Sequence, residues 1–161
     1  MKILFLATAA ALALTACNSK NASTQTETTM SDSIVEVTVP SILGQWNIEN
    51  VVVSDTLSVR PADVDPAVKQ YINFNADSSF VVVTNCNTIG GTYVVNGDSI
   101  KLGDGPATEM ACENMQVEDL IKQVIPEVNT LDFENDSIVR LNTSSSKYIV
   151  LRKAAIEQKA K

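Results

Sequence analysis

Cysteine and histidine usage bounds the chemistry of this chain. It has three cysteines, Cys17, Cys86 and Cys112, and no histidine. Without histidine no Ser-His-Asp or Cys-His arrangement can form, and no imidazole can ligate a metal or carry a proton. Paired carboxylates, a lysine base or a bound cation are the chemistries left open. Zinc has too few soft ligands, because Cys86 and Cys112 would have to hold it without imidazole. Asn73, Asn75 and Asp77 resemble the start of a calcium loop. Its sixth position is Ser78 where Gly is needed, and Thr84 stands where a bidentate Glu belongs, so the segment reads as a turn. No metal and no cofactor are expected.

The first cysteine has a different logic. Lys2 precedes a run from Ile3 to Leu14 in which only Thr8 is polar, and Leu14-Thr15-Ala16-Cys17 follows. The run is too short for a membrane-spanning helix and reads as a secretory leader. Its end resembles the lipobox of bacterial lipoproteins. That resemblance implies cleavage before Cys17, a diacylglyceryl thioether on its sulfur and acylation of its new amino group. Residues 1–16 are then the signal peptide, and the membrane is a partner through the lipid anchor. Asn18 stands where Asp would resemble an inner-membrane retention signal, which favours the outer membrane of a Gram-negative cell envelope. Lipidation of Cys17 leaves Cys86 and Cys112 as an even pair in an oxidising compartment, where a disulfide persists. Closing a loop of 26 positions would stabilise the fold by about 3–4 kcal/mol in the chain-entropy model. Two buried free thiols are the alternative.

Composition places the rest. The formal net charge is −7, and removal of Lys2 with the leader makes the mature chain more negative. Such a surface argues against nucleic acid and offers no attraction to anionic lipid. An apolar content of 45% in a chain of 161 residues suits one domain with a real core. Residues 18–33 have Ala22 and Met30 as their only apolar side chains, so 17–40 read as the lipidated Cys and a flexible tether. Ile34–Val39 alternates apolar and polar, an edge strand stopped by Pro40. The domain spans 41–153, and 154–161 is a polar tail.

Within the domain, β-branched runs are broken by turn residues at short intervals. Gln45–Val53 predicts a first strand and Ser54–Gln70, with Pro61 and Pro66, a long loop. Three hairpins follow, Ile72–Val83, Tyr93–Leu102 and Leu131–Leu141. In the second, Asn96-Gly97 is the two-residue turn with both residues at positive φ. Tyr148–Leu151 closes the strand set. Met115, Val117, Leu120, Ile121, Val124, Ile125 and Val128 recur at helical spacing, with Glu118, Asp119, Lys122 and Gln123 assigned to the opposite, wet face. Pro126 ends or kinks this helix. The fold class is α+β, mostly antiparallel β: a sheet or open barrel of about seven to eight strands packed against one amphipathic helix.

Leu43-Gly44-Gln45-Trp46 resembles the G-x-W part of the L-x-G-x-W opening of the META domain, the HslJ-like family of bacterial lipoproteins. Cys86-Asn87 followed by Gly91-Thr92-Tyr93 resembles its G-C-N…G-x-Y centre, and Thr108-Glu109-Met110-Ala111-Cys112 its T-x-M-A-C segment. The resemblance covers about residues 41–152. It implies a β-rich fold, an envelope location and links to stress response, without an established reaction. Asn85 replaces the Gly that precedes C-N in the family, so the turn there is either less tight or uses Asn85 in a left-handed conformation.

Individual residues have plainer readings beside the sharper ones. Trp46 is a core aromatic or a stacking platform for envelope glycans. Asn87 bonds backbone in a turn, and Glu113, Glu118 and Asp119 complement the dipole at the helix start. Asp32-Ser33-Ile34, Asp55-Thr56-Leu57, Asp98-Ser99-Ile100 and Asp136-Ser137-Ile138 resemble an O-glycosylation acceptor pattern; the last two are also hairpin turns. No catalytic constellation emerges. The expected function is a non-catalytic envelope lipoprotein that binds an envelope protein or cell-wall component. The alternatives are a carrier of a small apolar ligand and a carboxylate-dependent enzyme.

Overall fold

A computed structural model describes residues 40–155. The leader, Cys17, the tether with Ile34–Val39, and the tail beyond Ala155 lie outside the described residues.

Strand β1 (Gly44–Ser54) organises the fold because both of its edges are used. One edge pairs with β9 (Tyr148–Lys153). The other pairs first with β3 (Tyr71–Phe74) and then with β2 (Leu57–Val59). From β3 the sheet continues through β4 (Ser79–Val83), β5 (Thr88–Asn96), β6 (Ser99–Gly103), β7 (Val128–Asn135) and β8 (Ile138–Thr143) to β9. All pairings are antiparallel. The return of β9 to β1 closes eight strands into a barrel with β2 as an added ninth, in line with the expected mostly antiparallel sheet or open barrel of about seven to eight strands, with the barrel closed. Closure removes the free edges that an open sheet exposes. The thinnest joint is β6–β7, a ladder of the single pair Ser99–Thr130.

Alternation decides which side chains fill the interior. Ile72 and Phe74 of β3 and Phe80 and Val82 of β4 are buried, while their neighbours Tyr71, Asn73, Val81 and Val83 are half-exposed. Trp46, Val51, Val139, Leu141, Ile149 and Leu151 complete the same core. Helix α2 (Gln116–Val124) packs its buried Val117, Ile121 and Val124 into that cluster and lies against β1. Pro126 ends it through a 3₁₀ turn, Ile125–Glu127, whose early position needs no proline N–H.

Three local expectations are corrected. The stretch 54–70 is not one loop: Leu57–Val59 forms β2, and Pro61–Val64 forms the one-turn helix α1 with Pro61 at its first position. The β5–β6 turn sits one residue later than Asn96-Gly97. Asn96 pairs with Ser99, so Gly97 and Asp98 are the loop, and only Gly97 has positive φ, at 59°. That fits a type II′ turn, which needs the left-handed residue first. The left-handed residue beside the disulfide is Asn114 (φ 62°), not Asn85.

Candidate functional site

The C-N and T-x-M-A-C segments meet at one end of the barrel. Cys86 and Cys112 are joined there, with S–S 2.04 Å and Cα atoms 5.9 Å apart. Beside them, Asn87 is buried and uses every hydrogen-bonding position its amide has. Its Nδ2 donates to the Met110 carbonyl and to Glu118 Oε1, both at 2.9 Å. Its Oδ1 accepts from the Met110 N–H and the Thr108 hydroxyl, both at 2.8 Å. Thr108 in turn accepts from the Thr88 N–H at 3.0 Å. The irregular segment between β6 and α2 is thus sewn to the β4–β5 turn by the disulfide and the Asn87 amide, with Asn85 Nδ2 donating to the Asn114 carbonyl at 3.1 Å.

Glu118 lies under this junction with its carboxylate fully shielded. Lys122 Nζ reaches Oε1 at 2.7 Å, and the Thr84 hydroxyl lies 2.9 Å from Oε2. Burial alone would push the Glu118 carboxyl up. The bonds from Lys122, Thr84 and Asn87 outweigh it and hold the group below the ordinary glutamate value. Lys122 is raised by the same contact. Glu118 was assigned to the wet face, and that is overturned: it is 0% exposed. The signal was present in the helix spacing, because position 118 lies seven residues before the buried Ile125 and three before Ile121, on the edge of the apolar stripe. Thr84, discounted as a poor calcium ligand, is the other member that motif reasoning missed.

Of the remaining motif residues, only Met110 joins this cluster, through its backbone. Trp46 is 0% exposed; its indole N–H donates to the Ile42 carbonyl at 2.6 Å, and its ring lies 6.2 Å from Phe133. Gly44 holds φ at 99° where the chain enters β1. Gly91 lets three strands approach, since a Cβ there would sit 2.3 Å from the Gly103 carbonyl and 2.5 Å from Phe80. Tyr93 donates its hydroxyl to the Asn75 carbonyl at 2.7 Å and meets Phe74 edge-on at 5.1 Å. Met110 and Ala111 contribute backbone and chain geometry while their side chains stay exposed. Asn73 donates to Asn75, Asn75 donates to the Ser79 hydroxyl, and Asp77 accepts from the Ser79 N–H and hydroxyl, as a turn does.

An eight-stranded antiparallel barrel stapled at one end to a single helix is the class of protein these observations define. The chain belongs to the META domain family, whose model matches residues 40–155. Among solved structures it is similar to a protein from Burkholderia xenovorans determined by NMR, with a TM-score of 0.57, 13% identity, and coverage of 70% of this chain and 82% of that one. It is also similar to a DUF4847 family protein from Bacteroides vulgatus ATCC 8482, with a TM-score of 0.50, 13% identity, and coverage of 69% and 92%. At that identity the likeness speaks to the fold alone. No curated protein matches the chain.

Proposed function

We propose that this chain is a lipid-anchored protein of the outer membrane whose META barrel is a non-catalytic binding module for another envelope component. The observation that carries the reading is the engagement of the polar motif residues. Asn87 has all four hydrogen-bonding positions occupied within the protein, and Glu118 is held charged by three donors. Groups so engaged support architecture; a general acid needs a raised pKa and an unsatisfied face toward substrate. The packed Trp46, Ile72 and Phe74 interior favours recognition on the outside of the barrel over carriage of a ligand within it. The lipobox ending in Cys17 supports the anchor.

The test is metabolic labelling of the full chain in a Gram-negative host with an alkyne fatty acid, followed by membrane fractionation. Wild type should carry label and sediment with outer membranes, and Cys17→Ala should lose both. A labelled, membrane-bound Cys17→Ala protein would sink the reading.

A further inference from the structure

The three hairpin turns near residues 76, 97 and 136 lie at the barrel end opposite the Thr84–Asn87 turn, as the antiparallel order requires. There, a groove of about 540 Å³ opens between Pro40–Leu43, the Gly97–Asp98 turn and β7. Leu43, Val94 and Val95 line it and remain exposed, Val94 by 68%. Val94 and Val95 are neighbours on β5 and point to opposite faces, so the apolar wall on the Tyr93 side is made by Val95 with Leu43 and the half-buried Phe133.

Backbone geometry says what shape would cover it. The N–H of Leu131 points away from β8 and is taken by the Asp98 carbonyl at 2.8 Å. The β7–β8 register is regular from Leu131 to Phe133, so the N–H and C=O of Phe133 point the same way. β6 has already ended, at Ser99 opposite Thr130, and among the described residues no strand pairs with Phe133 on that side. The one interrupted joint of the barrel therefore leaves a donor and an acceptor in line along the wall of an apolar groove. Asp98 and Asp132 border the same place, and neither forms an ion pair with a described residue.

We propose that this edge of β7 takes an extended peptide segment of a partner protein as an added strand. Its apolar side chains lie against Leu43, Val95 and Phe133, and a Lys or Arg faces Asp98 and Asp132. A lipid or sugar does not offer an alternating N–H and C=O row, whereas a strand does. A second copy of this chain fits less well, because its net charge of −7 would meet an acidic rim. The inference rests on the binding-module reading above and gives it a partner chemistry.

The test uses the full mature chain, ¹⁵N-labelled and purified in detergent. It is titrated to millimolar concentration with a short peptide alternating valine with lysine and threonine. Controls are the same peptide N-methylated at alternate residues, which keeps side chains and removes backbone donors, and a version with glutamate for lysine. Expected results are a fast-exchanging Phe133 amide in the free protein that slows on binding, and about tenfold weaker binding after N-methylation. The Asp98→Asn, Asp132→Asn double variant should bind the parent peptide several-fold less tightly, with a flatter salt dependence. A Phe133 amide already protected in the free protein would overturn the proposal, as would N-methylated peptide binding as well as its parent. Absence of binding in protein that still carries its acyl group overturns the strand-addition proposal alone. Loss of the acyl group strikes the lipoprotein reading instead.

Discussion

Glu118→Gln is the most informative perturbation of this fold, because it keeps the shape of the side chain and removes only its charge. In the native protein Oε1 accepts from Lys122 at 2.7 Å and Asn87 at 2.9 Å, and Oε2 faces the Thr84 hydroxyl at 2.9 Å. An amide can keep an oxygen toward the first two donors. Its NH₂ must then face Thr84 Oγ1, which already accepts the Asn87 N–H at 2.9 Å. Hydrogen bonds to a charged group contribute about 1.5–3 kcal/mol and neutral ones about 0.5–1.5, so weakening three costs roughly 2–3 kcal/mol. The Lys122 share is discounted because that ammonium is 44% exposed. For a domain of this size the loss lowers Tm by roughly 8–12 °C. The pH dependence supplies a second reading. A carboxyl lowered on folding contributes stability that is complete above its unfolded value, ordinarily 4.5, and is lost as pH falls toward its folded value. Thermal unfolding followed by circular dichroism at a series of pH values should therefore show the wild-type advantage over Glu118→Gln at neutral pH. That advantage should shrink below the unfolded value. Equal midpoints at neutral pH, or an advantage that grows on acidification, would refute the charged-carboxylate argument.

Other perturbations address separate parts of the structure. Trp46→Ala should cost about 3–5 kcal/mol, and native Trp46 should emit at short wavelength with no response to added glycans, as fluorescence will report. Cys86→Ser with Cys112→Ser should lower the unfolding midpoint by an amount equivalent to about 3–4 kcal/mol without altering the far-ultraviolet spectrum; thiol counting on the native protein should find neither sulfur free. Gly91→Ala should cost about 3 kcal/mol or abolish soluble expression, because the Gly103 carbonyl that a Cβ would strike is held in the β5–β6 ladder. Differential scanning of the soluble fraction measures it.

How much of this was legible in the sequence depends on the range of the interaction responsible. The hairpins follow from period-two alternation and local turn chemistry, so β3–β4, β5–β6 and β7–β8 fall where the residues place them. The slip from Asn96-Gly97 to Gly97-Asp98 is the exception, and a one-residue choice of turn is set by strand register across the ladder. Closure was not legible. Nothing in Gln45–Val53 announces that one strand will serve β3, β2 and β9 together; that depends on a bulge between Ile48 and Asn50 that lets β1 change course.

The polar junction sits between these cases. Cys86, Asn87, Thr108, Met110 and Cys112 are recognisable as a motif, yet the residue that unites them lies outside it. Glu118 reads as one of several acids at a helix start until the helix is docked, and only then does its place beside Ile121 and Ile125 become a buried one. Burial makes the carboxylate costly unless donors converge on it. Thr84, Asn87 and Lys122 come from the β4–β5 turn and the next turn of α2, which binds the helix to the barrel in one orientation. Removing any one donor leaves the buried Glu118 carboxylate with fewer bonds to offset its burial, so each substitution should loosen the docking of the helix. The opposite end has the reverse economy. There β7 runs past the end of β6 beside an apolar groove, with no strand of the described residues paired to Phe133 on that side, and recognition at that end would leave the junction that holds the barrel together undisturbed.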